Sequence, residues 1–114
     1  MTNIKFIKRV FSSSEILLAK NTSNKKSYYS KRFAAKEAFS KALGTGISNG
    51  INFNEIIILN EKSGKPFIQL RGNTMKIIKK KFKKKLKIAL SLSDEKKYAV
   101  AFVTISLWLK KKFL

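Results

Sequence analysis

The chain contains neither cysteine nor histidine. The first absence removes disulfide staples and thiolate metal sites, and the second removes imidazole bases and His-ligated zinc or haem. A Ser-His-Asp or Cys-His catalytic set is excluded. Any chemistry must rest on carboxylates, lysines, hydroxyls, backbone amides or a hard, oxygen-bound cation such as magnesium. Carboxylates are scarce as well, with 6 Asp and Glu against 26 Lys and Arg. No apolar run approaches the roughly 20 residues that a membrane-spanning helix needs. The longest, Tyr98 to Leu109, is broken by Thr104 and Ser106 and reads as a buried strand. The opening segment, Met1 to Lys8, lacks the apolar core of a secretory signal. The expectation is a cytoplasmic protein with no membrane span.

What is present starts with size and charge. A chain of 114 residues has room for one core, so a single domain over 1–114 is expected. A domain this small hides only about two-thirds of its unfolded surface, and sharing apolar faces in an oligomer would help it. The net charge of +20 attracts polyanions and acidic surfaces. Only three of the basic residues are arginine: Arg9, Arg32 and Arg71. Arginine's rigid fork is what base reading and bidentate phosphate binding favour, so charge alone does not select nucleic acid as the partner. A chain rich in Lys, Ile and Asn also fits the composition of an AT-rich genome.

The periodicity changes along the chain. Residues 1–20 read as the end of one helix, a break, and a second helix entered through the hydroxyls of Ser12-Ser13-Ser14 with Glu15 in its first turn. Asn21 to Ser27 is polar and loop-like. Tyr28 to Leu43 is the strongest helix, with Ala35, Ala38, Phe39 and Ala42 as its expected packing stripe and Gly44 placed to stop it. Two β-branched runs, Glu55 to Leu59 and Pro66 to Leu70, flank a turn composition at 60–65 and predict a hairpin. Thr74 to about Lys85 places Met75, Ile78 and Phe82 on one helical face, with lysines mostly outside it. Leu86, Ile88, Leu90 and Leu92 alternate with small or polar residues and predict a strand; Ser93-Asp94-Glu95 then turns into the final strand and a basic tail at 110–112. The expected architecture is α+β, an antiparallel sheet packed against helices.

Chemistry concentrates between Arg32 and Ile47, where Glu37 is the lone carboxylate among three cations and a glycine turn follows. Taken locally, Glu37 and Lys41 form an i,i+4 pair worth about 0.2–0.5 kcal/mol, and Gly44 is a helix cap. The sharper reading has Glu37 holding a divalent cation while Arg32 and Lys41 bind phosphate oxygens, with Gly44-Thr45-Gly46 letting a ligand approach backbone amides.

Three blocks in order carry a resemblance: Arg32-Phe-Ala-Ala-Lys-Glu-Ala-Phe-Ser-Lys-Ala-Leu-Gly-Thr-Gly-Ile47, then Gly64-Lys65-Pro66, then Ser91-Leu-Ser-Asp-Glu-Lys-Lys-Tyr-Ala-Val-Ala101. Together they resemble the holo-acyl-carrier-protein synthases, small bacterial 4'-phosphopantetheinyl transferases. The resemblance implies transfer of the phosphopantetheine arm of coenzyme A to a serine of acyl carrier protein, with magnesium as cofactor, in support of fatty acid synthesis. It implies Glu37 as metal ligand and Glu37 with Lys41 as catalytic residues. It further implies Arg32 and Lys41 as phosphate-binding cations, Gly44, Thr45 and Gly46 as a backbone wall, and Gly64, Lys65 and Pro66 as a hairpin near the nucleotide. It also implies a homotrimer with sites at the subunit interfaces and, because carrier proteins are acidic, a docking face around Lys5, Lys8 and Arg9. Asp94 lies where the family carries Asp or His. The chain departs from the family at its start: the first strand, with its metal-binding aspartate, has no counterpart, and no aspartate precedes Asp94. Glu15, the only carboxylate before Glu37, lies in another motif. The expectation is an N-terminally incomplete chain. The competing readings are an inactive truncated homologue and a small basic nucleic-acid-binding protein.

Overall fold

A computed structural model describes residues 4–44, 50–82, 86–94 and 99–107. Its elements are α1 (Ile4–Val10), α2 (Ser13–Ala19), α3 (Lys25–Leu43), β1 (Ile56–Asn60), β2 (Pro66–Leu70), α4 (Gly72–Lys81), β3 (Leu86–Asp94) and β4 (Ala99–Leu107), with a 3-10 turn over Phe53–Glu55. The α+β class expected from the sequence is what forms.

Local chemistry explains the helix ends. Ser12, in extended backbone, accepts from Glu15 N through its Oγ, while Glu15 Oε1 accepts from Ser12 N, so Ser12 is the cap of α2 in a reciprocal capping box. Asn24 Oδ1 accepts from Ser27 N, which starts α3 three residues earlier than the hydrophobic pattern indicates. Gly44 ends it in the left-handed region at φ 79°, its N–H donating to Lys41 O at 3.0 Å.

The strands form two antiparallel hairpins, β1 with β2 and β3 with β4. Ile56 faces Leu70 and Asn60 faces Pro66 in the first; Leu86 faces Leu107 and Asp94 faces Ala99 in the second. Asp94 therefore closes a strand, where a turn was expected, because the ladder continues through it. Ile56, Ile57 and Ile58 are all buried, so β1 is covered on both faces and cannot show the polar alternation of a solvent-facing strand. Along β3, Leu86, Ile88, Leu90 and Leu92 are half-buried and the residues between them exposed, the expected period of two. The core gathers Val10 and Phe11, Ala35, Phe39 and Leu43 of α3, Ile51, Phe53, Ile56 and Ile58, and Ile78 of α4.

α4 begins two residues before its expected start because Glu55 caps it from outside. Glu55 Oε2 accepts from Asn73 N at 3.1 Å, and Oε1 from Thr74 N at 3.0 Å and Thr74 Oγ1 at 2.7 Å. Gly72 suits that position: its φ is 60°, which other residues rarely adopt, and a Cβ would lie 1.8 Å from Glu55 Oε2, displacing the carboxylate from its capping position. The lysine-rich side of α4, Lys76, Lys79, Lys80 and Lys81, is exposed, as its pattern predicts.

Candidate functional site

α3 carries most of the expected site residues, and its rotation decides their environments. The buried face runs through Tyr28, Arg32, Ala35, Lys36, Phe39, Ser40 and Leu43. The expected stripe is thus partly corrected: Ala35 and Phe39 are buried, Ala38 is half-buried and Ala42 is exposed. The stripe turns toward Arg32 and Lys36 because the Lys36 head finds three acceptors in the interior while the Arg32 guanidinium packs over the Tyr28 ring and reaches Asn60.

Lys36 is fully buried and makes three bonds. Its Nζ donates to Glu15 Oε1 at 2.8 Å, to Phe53 O at 2.7 Å and to Ile56 O. Glu15, also fully buried, accepts from Ile58 N through Oε2 at 3.0 Å and presents its backbone carbonyl to Tyr28 Oη at 2.6 Å. All three ammonium hydrogens are used, as an ion removed from water requires. Burial pushes the Lys36 ammonium below the usual lysine range, while the Glu15 charge and hydrogen bond oppose that shift. The pair ties α2, α3, the 3-10 turn and β1 together beside Glu37. It also removes Glu15 from any role as a metal ligand, in agreement with its reading as part of another motif.

Glu37 is half-buried and Lys41 exposed one turn further on, so the flank expected to be chemical does face outward. No ion pair joins them, and neither head has a hydrogen-bond partner among the described residues. Arg32 stands elsewhere. At about 100° per residue, nine positions place it roughly 180° from Lys41. It is 8% exposed, its Cζ lies 3.8 Å from the Tyr28 ring centroid, and its Nη2 donates to Asn60 Oδ1 at 2.7 Å. Asn60 Nδ2 in turn donates to Gly64 O at 2.9 Å.

The structure therefore brings Arg32 to the Gly64-Lys65-Pro66 turn, and Glu37 to Lys41, without placing Arg32 and Lys41 on one face. Gly64 sits at φ 94°, Lys65 is exposed, and Pro66 opens β2, where its missing N–H costs no ladder bond. Thr45, Gly46, Glu95, Trp108 and the tail at 110–112 lie outside the described residues. Sequence reasoning missed Lys36, Asn60 and Glu55 as positioned groups. A signal existed for Lys36, which falls one turn from Arg32 and next to Ala35 on the packing side; for Asn60 and Glu55 the partners are distant in sequence. No group of three or more His, Cys, Asp or Glu side chains converges among the described residues. Glu37 can supply one carboxylate, which fits magnesium held also by ligand phosphates and water, and does not fit an all-protein cage.

Comparison with known proteins identifies the class. The sequence pattern of the 4'-phosphopantetheinyl transferase superfamily matches residues 2–103. The chain is an enzyme of that superfamily. A holo-[acyl-carrier-protein] synthase of Pelagibacter ubique is 58% identical over 106 residues, covering 92% of this chain and 83% of the relative. The crystal structure of the Neisseria meningitidis holo-[acyl-carrier-protein] synthase superposes with TM-score 0.82 at 34% identity, covering 91% of this chain and 82% of that one. The Helicobacter pylori enzyme, solved in complex with coenzyme A, gives 0.72 at 34% identity, with 90% and 83% covered. The chain belongs to the holo-[acyl-carrier-protein] synthase family.

Proposed function

We propose that this chain, acting as one domain over 1–114 in the cytoplasm, transfers the 4'-phosphopantetheine arm of coenzyme A to a serine of apo acyl carrier protein, in support of fatty acid synthesis. The serine oxygen attacks the phosphorus that carries the arm. Its bond to the nucleotide half of the diphosphate breaks, adenosine 3',5'-bisphosphate leaves with the electron pair, and the serine proton passes to water or to the leaving phosphate. The observation that carries this reading is the flank of α3 where Glu37 and Lys41 project one turn apart, their heads unpaired among the described residues, beside the buried Glu15–Lys36 tie. Such a rigid mount suits groups that must meet a diphosphate. Lys41 would bind a phosphate oxygen and offset charge on the leaving group. Glu37 would hold magnesium together with the diphosphate and water, the ion supplying charge neutralisation at phosphorus.

Asn60 links Arg32 to Gly64, the residue before Lys65, which supports a second anion-binding end where the Gly64-Lys65-Pro66 hairpin lies near the nucleotide; Gly44, Thr45 and Gly46 are read as a backbone wall of the coenzyme site. α1 exposes Lys5, Lys8 and Arg9, and Lys8 also lines a groove of about 660 Å³ with Lys20 and Arg71. This cationic side is read as the face for the acidic carrier protein. A homotrimer belongs to the same reading; an apolar cavity of about 320 Å³ between β2, α4 and β3 supports burial of surface by further copies. Among the described residues, no helix is long and apolar enough to cross a membrane.

The test is transfer from coenzyme A to apo acyl carrier protein, read by intact mass, with magnesium or with EDTA. Expected is a carrier heavier by one phosphopantetheine arm with magnesium, none with EDTA, and none with Glu37→Ala. Absence of transfer by the wild-type chain would overturn the proposal in favour of an inactive homologue.

A further inference from the structure

We propose that Asn60 is a positioning residue that aims the Arg32 guanidinium at an anionic group of the donor and couples it to the turn bearing Lys65; this rests on the reading that coenzyme A is the donor. Arg32 is a buried cation with an unusual set of partners. Nη2 donates to Asn60 Oδ1, Nη1 reaches Tyr28 O at 3.5 Å, and the guanidinium lies over the Tyr28 ring. No carboxylate pairs with it among the described residues, and its Nε is buried without a hydrogen-bond partner. A buried charge with only neutral partners and an orphaned donor is costly, and it is a state that an arriving anion relieves. Lys36, one turn away on the same face, shows the contrast, since it has its carboxylate and all its bonds.

Asn60 sets the direction of that unspent charge. A guanidinium only donates, so the amide oxygen must face Arg32, and the amide nitrogen is left to donate to Gly64 O. One planar group thus links the end of β1, the buried cation of α3 and the left-handed glycine that precedes Lys65. The Asn60 residue itself is exposed, so replacing it does not hollow the core.

Asn60→Asp separates positioning from simple structure. An aspartate would pair with Arg32 and cancel its charge, while its second oxygen would face the Gly64 carbonyl, acceptor against acceptor. A merely structural role predicts that the added ion pair leaves donor binding intact. A positioning role predicts competition with the donor's phosphate.

The experiment is calorimetric titration of coenzyme A into the wild-type chain, Asn60→Asp and Asn60→Ala, with thermal melting of all three. Expected is an Asn60→Asp chain that melts at or above Asn60→Ala yet binds coenzyme A about tenfold more weakly than the wild type, with Asn60→Ala about threefold weaker. Asn60→Asp binding as well as or better than Asn60→Ala would overturn the inference while the donor reading stands. So would an Asn60→Asp chain whose weaker binding is matched by a lower melting point than that of Asn60→Ala. A wild-type chain that does not bind coenzyme A would overturn the donor reading and the inference with it.

Discussion

Arg32 and Lys36 lie one turn apart on α3, both cationic and both buried, and their neighbours give them opposite characters. Lys36 spends its charge on Glu15 and two carbonyls, which makes it a fastening. Arg32 keeps its charge unspent beside Tyr28 and Asn60, which makes it available. Breaking a buried pair from one side strands the other ion, at a cost of about 3–5 kcal/mol, whereas replacing both ions removes the stranded charge. Lys36→Met is therefore expected to lower unfolding free energy by about that amount, and Glu15→Gln with Lys36→Met to recover most of it. Urea denaturation of the three chains checks this; a double variant no more stable than Lys36→Met alone would contradict the assignment of the pair as a fastening.

α4 depends on a carboxylate that lies outside it. Its own cap position, Arg71, provides no side-chain bond, and Glu55 substitutes for it by accepting from Asn73 and Thr74. Partial burial pushes the Glu55 carboxyl up, but the bonds from Thr74, Asn52 and Asn73 outweigh it and hold the group below the usual carboxylate range. A carboxylate lowered in the fold stabilises at pH above its unfolded value, near 4.3, and that contribution is lost as pH falls through the folded value. Glu55→Gln is thus expected to cost about 1 kcal/mol at neutral pH and to flatten the acid limb of the stability curve below about pH 4. Thermal melts from pH 7 to pH 3 decide it; parallel curves for both chains would sink the capping role.

Charge acts at the scale of the whole molecule. A net charge of +20 sets up a field that draws in acidic surfaces, and the exposed cations of α1 give it a direction. Replacing Lys5, Lys8 and Arg9 together with Glu is expected to raise KM for acyl carrier protein at least tenfold while changing KM for coenzyme A less than twofold. Steady-state kinetics with each substrate varied in turn distinguishes this from a general loss, which would raise both equally.

Much of the architecture was legible in local pattern because it depends on local chemistry. Alanines and lysines around a packing stripe make α3, Gly44 stops it, period-two alternation makes β3, and β-branched runs about a glycine turn make the first hairpin. The outward flank of Glu37 and Lys41 was legible for the same reason, since helical spacing alone puts side chains four apart on one side. Other features depended on groups distant along the chain: Glu15 against Lys36, Asn60 against Arg32, and Glu55 against Thr74. Spacing does not reveal such partners. Local pattern set the order and kind of the elements, the family motifs and the outward flank of Glu37 and Lys41. Which cations are buried, which of them is neutralised and which keeps its charge followed from long-range packing, because the interior tolerates an ion only where the fold brings it acceptors.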